Sequence, residues 1–406
     1  MQVYTPSDEK QIGDVLASAA AHGRPLELVA GATKRALGRP VGAEDRLNIS
    51  MLSGVSNYEA AELVLTAKAA TPLVEIERML AAQGQMLAFE PPCWRALLGG
   101  IGEPTLGGVL ACNLAGPRRV RAGAARDFVL GFAAVNGSGE IWKAGGKVVK
   151  NVTGYDMSKL MVGAFGTLSV LTEVTLKVAP RPETECTLLV SALSDGDAVR
   201  RMADALNTPF EVSSTAHLPA TIARRSCVGE VAVGTGAVTA FRLEGPAPSV
   251  AFRAQAITTS FGCAARLEQD VSRTFWAEVG EVASLLAPKG RIIWRLCPTP
   301  SQAAEVVSAT RARIASAEAF YDWGGGLVWL SLDETEAGAD AGAAVVRAAL
   351  RPHGGHATLV VAPEATRRSV AVFEPLADAL AALSARVKAG FDPANILNPG
   401  RMREGR

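Results

Sequence analysis

Apolar residues recur at helical spacing near the start of the chain. Between residues 8 and 22 they repeat every three to four positions, with Ser7 as a candidate N-cap and Gly23 as a candidate stop, so the pattern predicts a helix. The apolar run LELVA at 26–30 predicts a short buried strand that leads directly into the loop GATKRALGRP. The alternating segment ELVLTAK at 62–68 predicts another strand, and a helical pattern follows it.

The next distinct segment, residues 99–127, carries seven glycines and no clear hydrophobic period. Flexible linkers favour Ser, Pro and charged residues, whereas this segment retains Ile101, Leu106, Val109 and Leu110. We therefore expect an ordered loop system that contacts a ligand. The strand-like segments DFVLGFAAVN and GEIWKAG follow, and NGSG between them is typical of a hairpin turn.

After two prolines near position 181, strands and helices alternate to the end of the chain. Neighbouring strands between the helices are typical of split βαβ units, so an α+β second domain is predicted. The predicted boundaries are 1–180 for the first domain, 181–388 for the second, and 389–406 for a tail. A last helix is predicted at 373–388, and the tail after it is rich in Asn, Pro and Gly.

Composition is that of an ordinary globular protein: 406 residues with a net charge of +1, 49% hydrophobic and 20% charged. The near-zero charge gives no electrostatic reason to expect a nucleic-acid partner. No apolar run is long enough for a transmembrane segment, and the polar start MQVYTPSDEKQIGD lacks a signal sequence, so a cytoplasmic protein is expected. The six cysteines form no CxxC pair, which argues against an iron–sulfur cluster or a zinc ribbon.

Several glycine-rich stretches suit close approach of a ligand to the backbone. AGATKR at 30–35 follows a predicted strand, and its N–H groups could face phosphate oxygens, although a plain surface turn has the same composition. It matches neither GxGxxG nor GxxxxGK[ST]. TLGGVLACN at 105–113 is either a tight turn between buried strands or a second ligand loop. The arginine-rich RRVRAGAARD suits a solvated face, a phosphate or an acidic partner. GAFGTLSVLTEV joins a glycine bend to a strand, a surface on which a planar ring could lie.

Some of these motifs resemble a known family. KNVTGYD with KLMVGAFGTLSVLTEVTLKVAP, TLGGVLACN and FDPANILNPGRM resemble the FAD-binding domain of the vanillyl-alcohol-oxidase (PCMH-type) flavoproteins, close to the glycolate oxidase and D-lactate dehydrogenase branch. IIWRLCPTP, YDWGGGLVWL and GGHATLV resemble the E-subunit family, the smaller FAD-binding subunit of bacterial glycolate oxidase. The resemblance spans nearly the whole chain. It implies a two-part FAD-binding domain, a ferredoxin-like substrate or cap domain, and a tail that packs on the FAD domain.

The resemblance also implies individual FAD contacts. AGATKR matches the pyrophosphate loop, TLGGVLACN the second flavin loop and GAARD its continuation, while residues near Gly166 match those beside the isoalloxazine or ribityl chain. Some relatives attach FAD through a histidine in the pyrophosphate loop; this loop has none, so non-covalent FAD is predicted. The predicted FAD-binding residues are Gly31, Ala32, Thr33, Lys34, Arg35, Thr105, Gly107, Gly108, Asn113, Arg126, Asp127, Gly166, Thr167, Leu168, Val170 and Asn398.

Oxidation of a 2-hydroxy acid needs a base for the hydroxyl proton and a cation for the carboxylate. By residue type, His356 and Arg295 are the catalytic candidates.

The spacing of HGGH at 353–356 permits a zinc pair, but the sequence suggests no third ligand. A turn before a strand is the simpler interpretation of HGGH, so no metal is predicted. Three tryptophans are interpreted as core residues rather than a substrate box: Trp294, Trp323 and Trp329.

A reduced flavin must pass on two electrons, and the chain shows neither an iron–sulfur nor a nicotinamide motif. The resemblance implies the FAD-binding subunit of a glycolate oxidase complex that converts glycolate to glyoxylate. Its implied partners are a larger FAD-binding catalytic subunit and an iron–sulfur subunit, which would hold the chain in the cytoplasm or at the inner membrane.

Two alternative functions stay open. One is a self-sufficient FAD-dependent D-2-hydroxy-acid dehydrogenase that binds its own small substrate, and the other is a structural partner that has lost its flavin.

Overall fold

The elements of the chain fall into two groups by their mutual contacts. The computed structural model describes residues 1–147, 154–234 and 236–405. The first unit consists of Met1–Ala115, Ala124–Arg181 and Pro375–Arg406, and the second of Gly116–Gly123 and Pro182–Glu374. Residues 150–153 of the KNVTGYD stretch lie outside the described residues.

The strands of the described residues are short at the start of the chain and longer in the second unit. In chain order they are Val3–Tyr4 (β1), Leu26–Val29 (β2), Asp45–Asn48 (β3), Val55–Glu59 (β4), Val64–Lys68 (β5), Gln85–Met86 (β6), Val129–Asn136 (β7), Ile141–Gly145 (β8), Ser169–Lys177 (β9), Ala179–Pro180 (β10), Thr184–Ser191 (β11), Ser214–Leu218 (β12), Val238–Gly245 (β13), Ala265–Glu268 (β14), Arg291–Pro298 (β15), Glu318–Asp322 (β16), Leu327–Asp333 (β17) and Gly355–Val361 (β18).

The helices of the described residues follow the same order. They are Glu9–Ala21 (α1), Leu73–Ala81 (α2), Arg95–Leu98 (α3), Leu106–Ala111 (α4), Arg119–Ala122 (α5), Met157–Met161 (α6), Asp195–Leu206 (α7), Ala220–Ala223 (α8), Gly229–Ala232 (α9), Ala247–Phe261 (α10), Gln269–Gly280 (α11), Ala303–Arg311 (α12), Glu334–Ala337 (α13), Ala343–Leu350 (α14), Glu364–Ser369 (α15) and Asp378–Phe391 (α16).

Two sheets and their shared core build most of the first unit. The parallel strands β1, β3 and β2 form one sheet, in that order, and β4, β5, β9, β7 and β8 form an antiparallel sheet. The predicted helix at 8–22 is confirmed as α1, with Asp8 rather than Ser7 as its N-cap, because the Asp8 carboxylate accepts the N–H of Gln11 at 2.8 Å. Apolar residues from both sheets, α1 and the chain's end pack into one core: Ile12, Leu16, Leu47, Val135, Val170, Ile396 and Leu397.

The second unit contains two copies of the split βαβ pattern within one antiparallel sheet. The strand order is β14-β11-β13-β12-β16-β17-β15-β18. The first half runs β11-α7-β12-β13-α10-β14 and the second β15-α12-β16-β17-α14-β18. In each half the first and third strands lie in the middle, which is the ferredoxin-like arrangement. Pairing of β12 with β16 joins the halves. The predicted split βαβ fold is therefore present twice.

One face of this sheet is covered by α7, α10, α12 and α14. Strand side chains alternate between faces, and those directed at the four helices form a large apolar core. Trp294 belongs to it, fully buried, with its indole N–H donating to the carbonyl oxygen of Ala341 at 2.8 Å. Trp329 and Trp323 are 2% and 9% exposed, so all three tryptophans are buried as the core interpretation expected.

The last helix differs from its predicted place. It spans Asp378–Phe391, and residues 375–388, which the sequence assigned to the second domain, belong by their contacts to the first unit. The physical reason lies in the side chains at the helix end. The Lys388 ammonium donates to the carbonyl oxygens of Thr167 at 2.7 Å and Leu397 at 3.0 Å, and the Phe391 ring packs on Trp142.

A buried polar group holds α7 to the sheet of the second unit. The Asp195 carboxylate accepts a hydrogen bond from the Tyr321 hydroxyl at 2.7 Å and from Arg311 at 3.0 Å, and it lies 3.4 Å from the His217 ring. Burial alone would raise the pKa of Asp195, but these partners outweigh it and lower the pKa to about 2. The ionised carboxylate therefore stabilises the folded unit.

We expect Asp195→Asn to lower the free energy of unfolding by about 2 kcal/mol at pH 7. Because the pKa in the folded state lies below the ordinary aspartate value of 3.8, this contribution is complete above about pH 4 and is lost as the pH falls towards 2. Urea unfolding of both proteins at pH 7 and pH 3 measures it. Asp204→Asn, on an exposed turn of the same helix, is the control. An equal loss in the two variants would contradict the assignment.

Candidate functional site

A cleft of about 910 Å³ opens in the first unit where four chain segments meet. They are the loop after β2, the start of α4, the turn before β9 and the C-terminal tail. Cofactor sites in proteins combine apolar walls with a few directed polar groups.

The loop after β2 presents unpaired backbone donors. The N–H groups of Gly31, Ala32 and Thr33 donate to no protein acceptor within residues 1–147, 154–234 and 236–405. Ala32 adopts a left-handed conformation, with φ of 58°, which turns successive N–H groups towards the same side. Gly31 is required by space, since a Cβ there would lie 1.7 Å from the carbonyl oxygen of Glu103. Such a loop is a concave site for anionic oxygens.

Positive charge surrounds this loop. Lys34, Arg35 and Arg401 line the cleft, and the Lys34 ammonium is anchored on the carbonyl oxygen of Cys93. Glu27 lies beneath the loop, 9% exposed, and accepts two hydrogen bonds from Arg35 at 2.7 and 2.8 Å. Burial raises the pKa of Glu27, but its arginine neighbours outweigh this and hold the pKa below its usual value. The arginines are thereby fixed in place.

Helix α4 brings its backbone close to the cleft. Thr105 caps the helix by accepting the N–H of Gly108, and Gly107 donates its own N–H to the carbonyl oxygen of Ala69 at 2.7 Å. A Cβ on Gly107 would lie 2.9 Å from Ala69, so only glycine fits. Cys112 also lines the cleft, and burial raises the pKa of its thiol to about 11 despite the opposing effects of Lys34 and Arg401. Its thiol therefore stays neutral and does not oppose an anion.

The opposite wall is formed by the turn before β9 and by the tail. Gly166, with φ of 65°, leaves room for the Asn398 amide, which would lie 2.9 Å from a Cβ at that position. The Asn398 side chain accepts the N–H of Leu28 at 2.8 Å and donates to the carbonyl oxygen of Phe165 at 2.9 Å. One amide thus joins β2 to the turn across the cleft. Ser169 and Leu171 continue this wall along β9.

The cleft brings together most of the residues that the sequence predicted for FAD. Those that line it are Gly31, Ala32, Thr33, Lys34, Arg35, Thr105, Gly107, Gly108, Gly166 and Asn398. The outer residues of the predicted set are not in the lining. Asn113 accepts the N–H of Arg126 at 3.2 Å, Asp127 accepts the N–H of Ala124 at 2.8 Å, and the Thr167 hydroxyl donates to a carbonyl oxygen of its own turn. These three contacts shape the loops that frame the cleft.

The prediction differs from the structure along β9. Val170 is fully buried in the core of the first unit, and Leu168 is 8% exposed and also outside the lining. Side chains of a strand alternate, so the cleft receives Ser169 and Leu171 instead. The sequence contained this alternation, but it did not reveal which of the two faces meets the cleft. Further lining residues missed from the sequence include Cys112, Phe165 and Arg401.

The two catalytic candidates lie in the second unit, on the sheet face opposite the four covering helices. Arg295 is on β15, and its guanidinium lies 5.1 Å from the centre of the Trp323 ring. His356 is exposed on β18, directly across from Cys297. His353, the other histidine of HGGH, lies 3.9 Å from Glu305 instead. Within the described ranges, no group of three or more His, Cys, Asp or Glu is arranged to hold a metal ion.

Known proteins with similar sequences identify the family of this chain. The family model for an FAD binding domain matches residues 2–145. The glycolate oxidase subunit GlcE of Escherichia coli is 34% identical over 378 residues, which is 93% of this chain and 92% of that protein. The chain belongs to the family of the glycolate oxidase subunit GlcE. A D-lactate dehydrogenase of Anaerostipes hadrus is 30% identical over 150 residues, covering 37% of this chain and 30% of that protein.

Solved structures support the fold of this GlcE-family chain. The 4-ethylphenol oxidase of Gulosibacter chungangensis superposes with a TM-score of 0.72, at 13% identity, over 99% of this chain and 88% of that one. The p-cresol methylhydroxylase fold is equally close, with a TM-score of 0.70. The predicted PCMH-type α+β fold is therefore confirmed. The described helices include none that is long and apolar enough to cross a membrane.

FAD is the cofactor that the family comparison supports, and the cleft fits it. Unpaired N–H donors beside Lys34 and Arg401 suit a pyrophosphate, and the apolar wall along β9 suits a ring system. The 30–35 loop offers no histidine for a covalent link. The cleft is therefore the candidate site for FAD.

We expect Gly31→Ala to abolish FAD retention, because the new methyl group would overlap the Glu103 carbonyl and displace the loop. The ratio of flavin absorbance to protein absorbance after gel filtration measures the loss. Gly146→Ala is the matched control, since a Cβ there meets no atom within 4 Å. Full flavin content in the Gly31→Ala protein would refute the assigned loop.

We expect Asn398→Ala to weaken FAD binding about thirtyfold, since two hydrogen bonds of about 1 kcal/mol each are lost across the cleft. Flavin fluorescence during titration of the flavin-free protein gives the dissociation constant. Asn395→Ala is the control in the same tail, because its amide donates only to the carbonyl oxygen of Gly405. Unchanged affinity in Asn398→Ala would remove the tail from the binding site.

Proposed function

We propose that this protein is the FAD-binding subunit of a glycolate oxidase complex, taking part in the oxidation of glycolate to glyoxylate. The observation that carries this proposal is the full-length similarity to GlcE, combined with a cleft whose polar groups suit FAD. The partners we propose are the complex's larger FAD-binding catalytic subunit and its iron–sulfur subunit. Through them the chain would lie in the cytoplasm or at the face of the inner membrane.

Within this function, FAD supplies the acceptor for two electrons. The residues of the chain have separate tasks towards it. The N–H groups of Gly31–Thr33 and the cations Lys34 and Arg401 would hold the diphosphate, while Asn398 fixes the distance between the two walls. Gly107 lets α4 pack directly on Ala69 beside the cleft, where a Cβ would lie 2.9 Å from Ala69.

Electron transfer to another protein is part of the proposal. The six cysteines are unpaired and separated along the chain, and none of the described residues form a cluster able to hold iron. A subunit with an iron–sulfur carrier would complete the path from the flavin. This is why we favour a complex over an isolated enzyme.

A second function is favoured by the polar face of the second unit. Arg295 has no carboxylate within ion-pair distance among the described residues, and His356 is exposed. A guanidinium and an imidazole are the groups that a bound 2-hydroxy acid requires, one for its carboxylate and one for its hydroxyl proton. The chain would then act as a self-sufficient FAD-dependent D-2-hydroxy-acid dehydrogenase. We retain this as the alternative.

The visible spectrum of the chain purified alone, before and after anaerobic glycolate, separates the two functions. We expect a yellow protein whose flavin band glycolate does not bleach, because oxidation of substrate requires the partner subunits. D-lactate is tested in parallel, and dithionite is the control for a reducible flavin. Bleaching by either acid, lost in Arg295→Gln and His356→Gln, would establish the alternative. A colourless protein after gentle purification would contradict both.

A further inference from the structure

A thiol, an imidazole and two guanidinium groups gather on one face of the second unit's sheet. Cys297 and His356 are directly opposed on the paired strands β15 and β18, so their side chains lie on the same face of the sheet. Arg295 precedes Cys297 by two residues and therefore points to the same face. Arg119, on the short helix α5, completes the group.

Both guanidinium groups lie against the indole ring of Trp323. The central carbon of Arg119 lies 4.6 Å from the centre of the indole ring, and that of Arg295 lies 5.1 Å from it. Guanidinium groups stack favourably on indole, and the N–H edge of Arg295, which has no ion-pair partner among the described residues, can then meet a planar anion. The indole itself is held by a hydrogen bond of 3.1 Å to the carbonyl oxygen of Gly116.

These neighbours lower the pKa of the Cys297 thiol. Burial raises the pKa of Cys297, but the charge of Arg295, the hydrogen bond and charge of His356, and the charge of Arg119 outweigh it and leave the pKa lowered. A thiolate beside cations is the reactive form of cysteine. Cys297 is nevertheless only partly buried, so a small molecule can reach it.

Three other thiols of the second unit have raised pKa values instead. Burial and the Glu278 carboxylate raise the pKa of Cys227, and burial raises the pKa of Cys186 and of Cys263 to about 11. Cys227 is exposed and therefore accessible, so it serves as an internal reference whose electrostatic surroundings are reversed. The comparison separates reactivity due to the cationic group from reactivity due to exposure alone.

We propose that Cys297 is a nucleophilic thiol that captures small carboxylates bearing an electrophilic carbon, with Arg295 binding the carboxylate and His356 serving as the proton donor. The natural class would be 2-oxo acids, and this part rests on the proposed function, whose product is one. No oxidant or reductant is needed for such a capture.

The addition of Cys297 to a 2-oxo acid needs no groups beyond Cys297 and His356. The Cys297 sulfur donates its electron pair to the carbonyl carbon, forming a C–S bond. The π electrons of the C=O bond move to its oxygen, which takes a proton from the protonated His356 ring. The result is a hemithioacetal or hemithioketal, and reversal of the same movements releases the acid.

The first test uses two alkylating probes of similar size, iodoacetate and iodoacetamide, on the full-length protein. Mass spectrometry of peptides gives the rate at each cysteine. We expect Cys297 to react at least about tenfold faster than Cys227 at pH 7. We also expect its preference for the charged probe to exceed that of N-acetylcysteine methyl ester about tenfold, because the carboxylate is bound. Equal rates at Cys297 and Cys227 would overturn the proposal.

Substitutions then test the role of the cation. Arg295→Gln should abolish the preference for iodoacetate, and Arg295→Lys should restore most of it. If Arg295→Gln failed to fold, protection of the unaltered protein would decide instead. Glyoxylate should slow iodoacetamide labelling of Cys297 more than acetate, which has only the carboxylate, or acetaldehyde, which has only the carbonyl. Protection no greater than by acetaldehyde would refute carboxylate binding. Labelling requires no flavin turnover, so failure of the proposed function would leave these results unaffected.

Discussion

The return of the chain's last residues to strand β2 is the constraint on which the cleft depends. Asp392 accepts the N–H groups of Ile396 at 3.0 Å and Leu397 at 2.8 Å, which folds the tail into a turn whose apolar residues enter the core of the first unit. That turn places Asn398 between β2 and the turn before β9. Two walls far apart in sequence thereby become one site, since the Asn398 amide hydrogen-bonds to both.

Electrostatics reinforces the same junction. Glu27 would be costly to bury alone, but Arg35, Arg46 and Arg401 each lie within 3.6 Å of its carboxylate. Arg401 also donates to the carbonyl oxygen of Arg35 at 2.8 Å and so ties the tail to the loop. Three cations around one carboxylate leave an excess of positive charge beside the unpaired N–H groups, which is the field that a diphosphate requires.

The sequence predicted the glycine-rich loops, the split βαβ pattern and the tail's return, because each depends on local residue types or on a family motif. It did not predict the face of β9 that meets the cleft, since Val170 and Leu171 are both apolar and only the folded chain shows that Leu171 lines the cleft and Val170 does not. Nor did it single out Arg401 among the tail residues, because Arg401 is positioned by an ion pair with Glu27, which is 374 positions earlier (401 − 27). The tandem ferredoxin-like halves likewise become visible only through the β12–β16 pairing.

Duplication of the split βαβ pattern explains where chemistry can reside in the second unit. The helices α7, α10, α12 and α14 of the two halves lie on one face, and apolar residues of central strands such as β13, β15 and β17 pack against them. Polar and aromatic residues in the alternate positions are then free to vary without disturbing the core. Arg295 and Cys297 occupy such positions on β15, between two strands that supply Trp329 and His356. A reactive thiol and a cation can therefore be held rigidly on a strand whose stability comes from its other face.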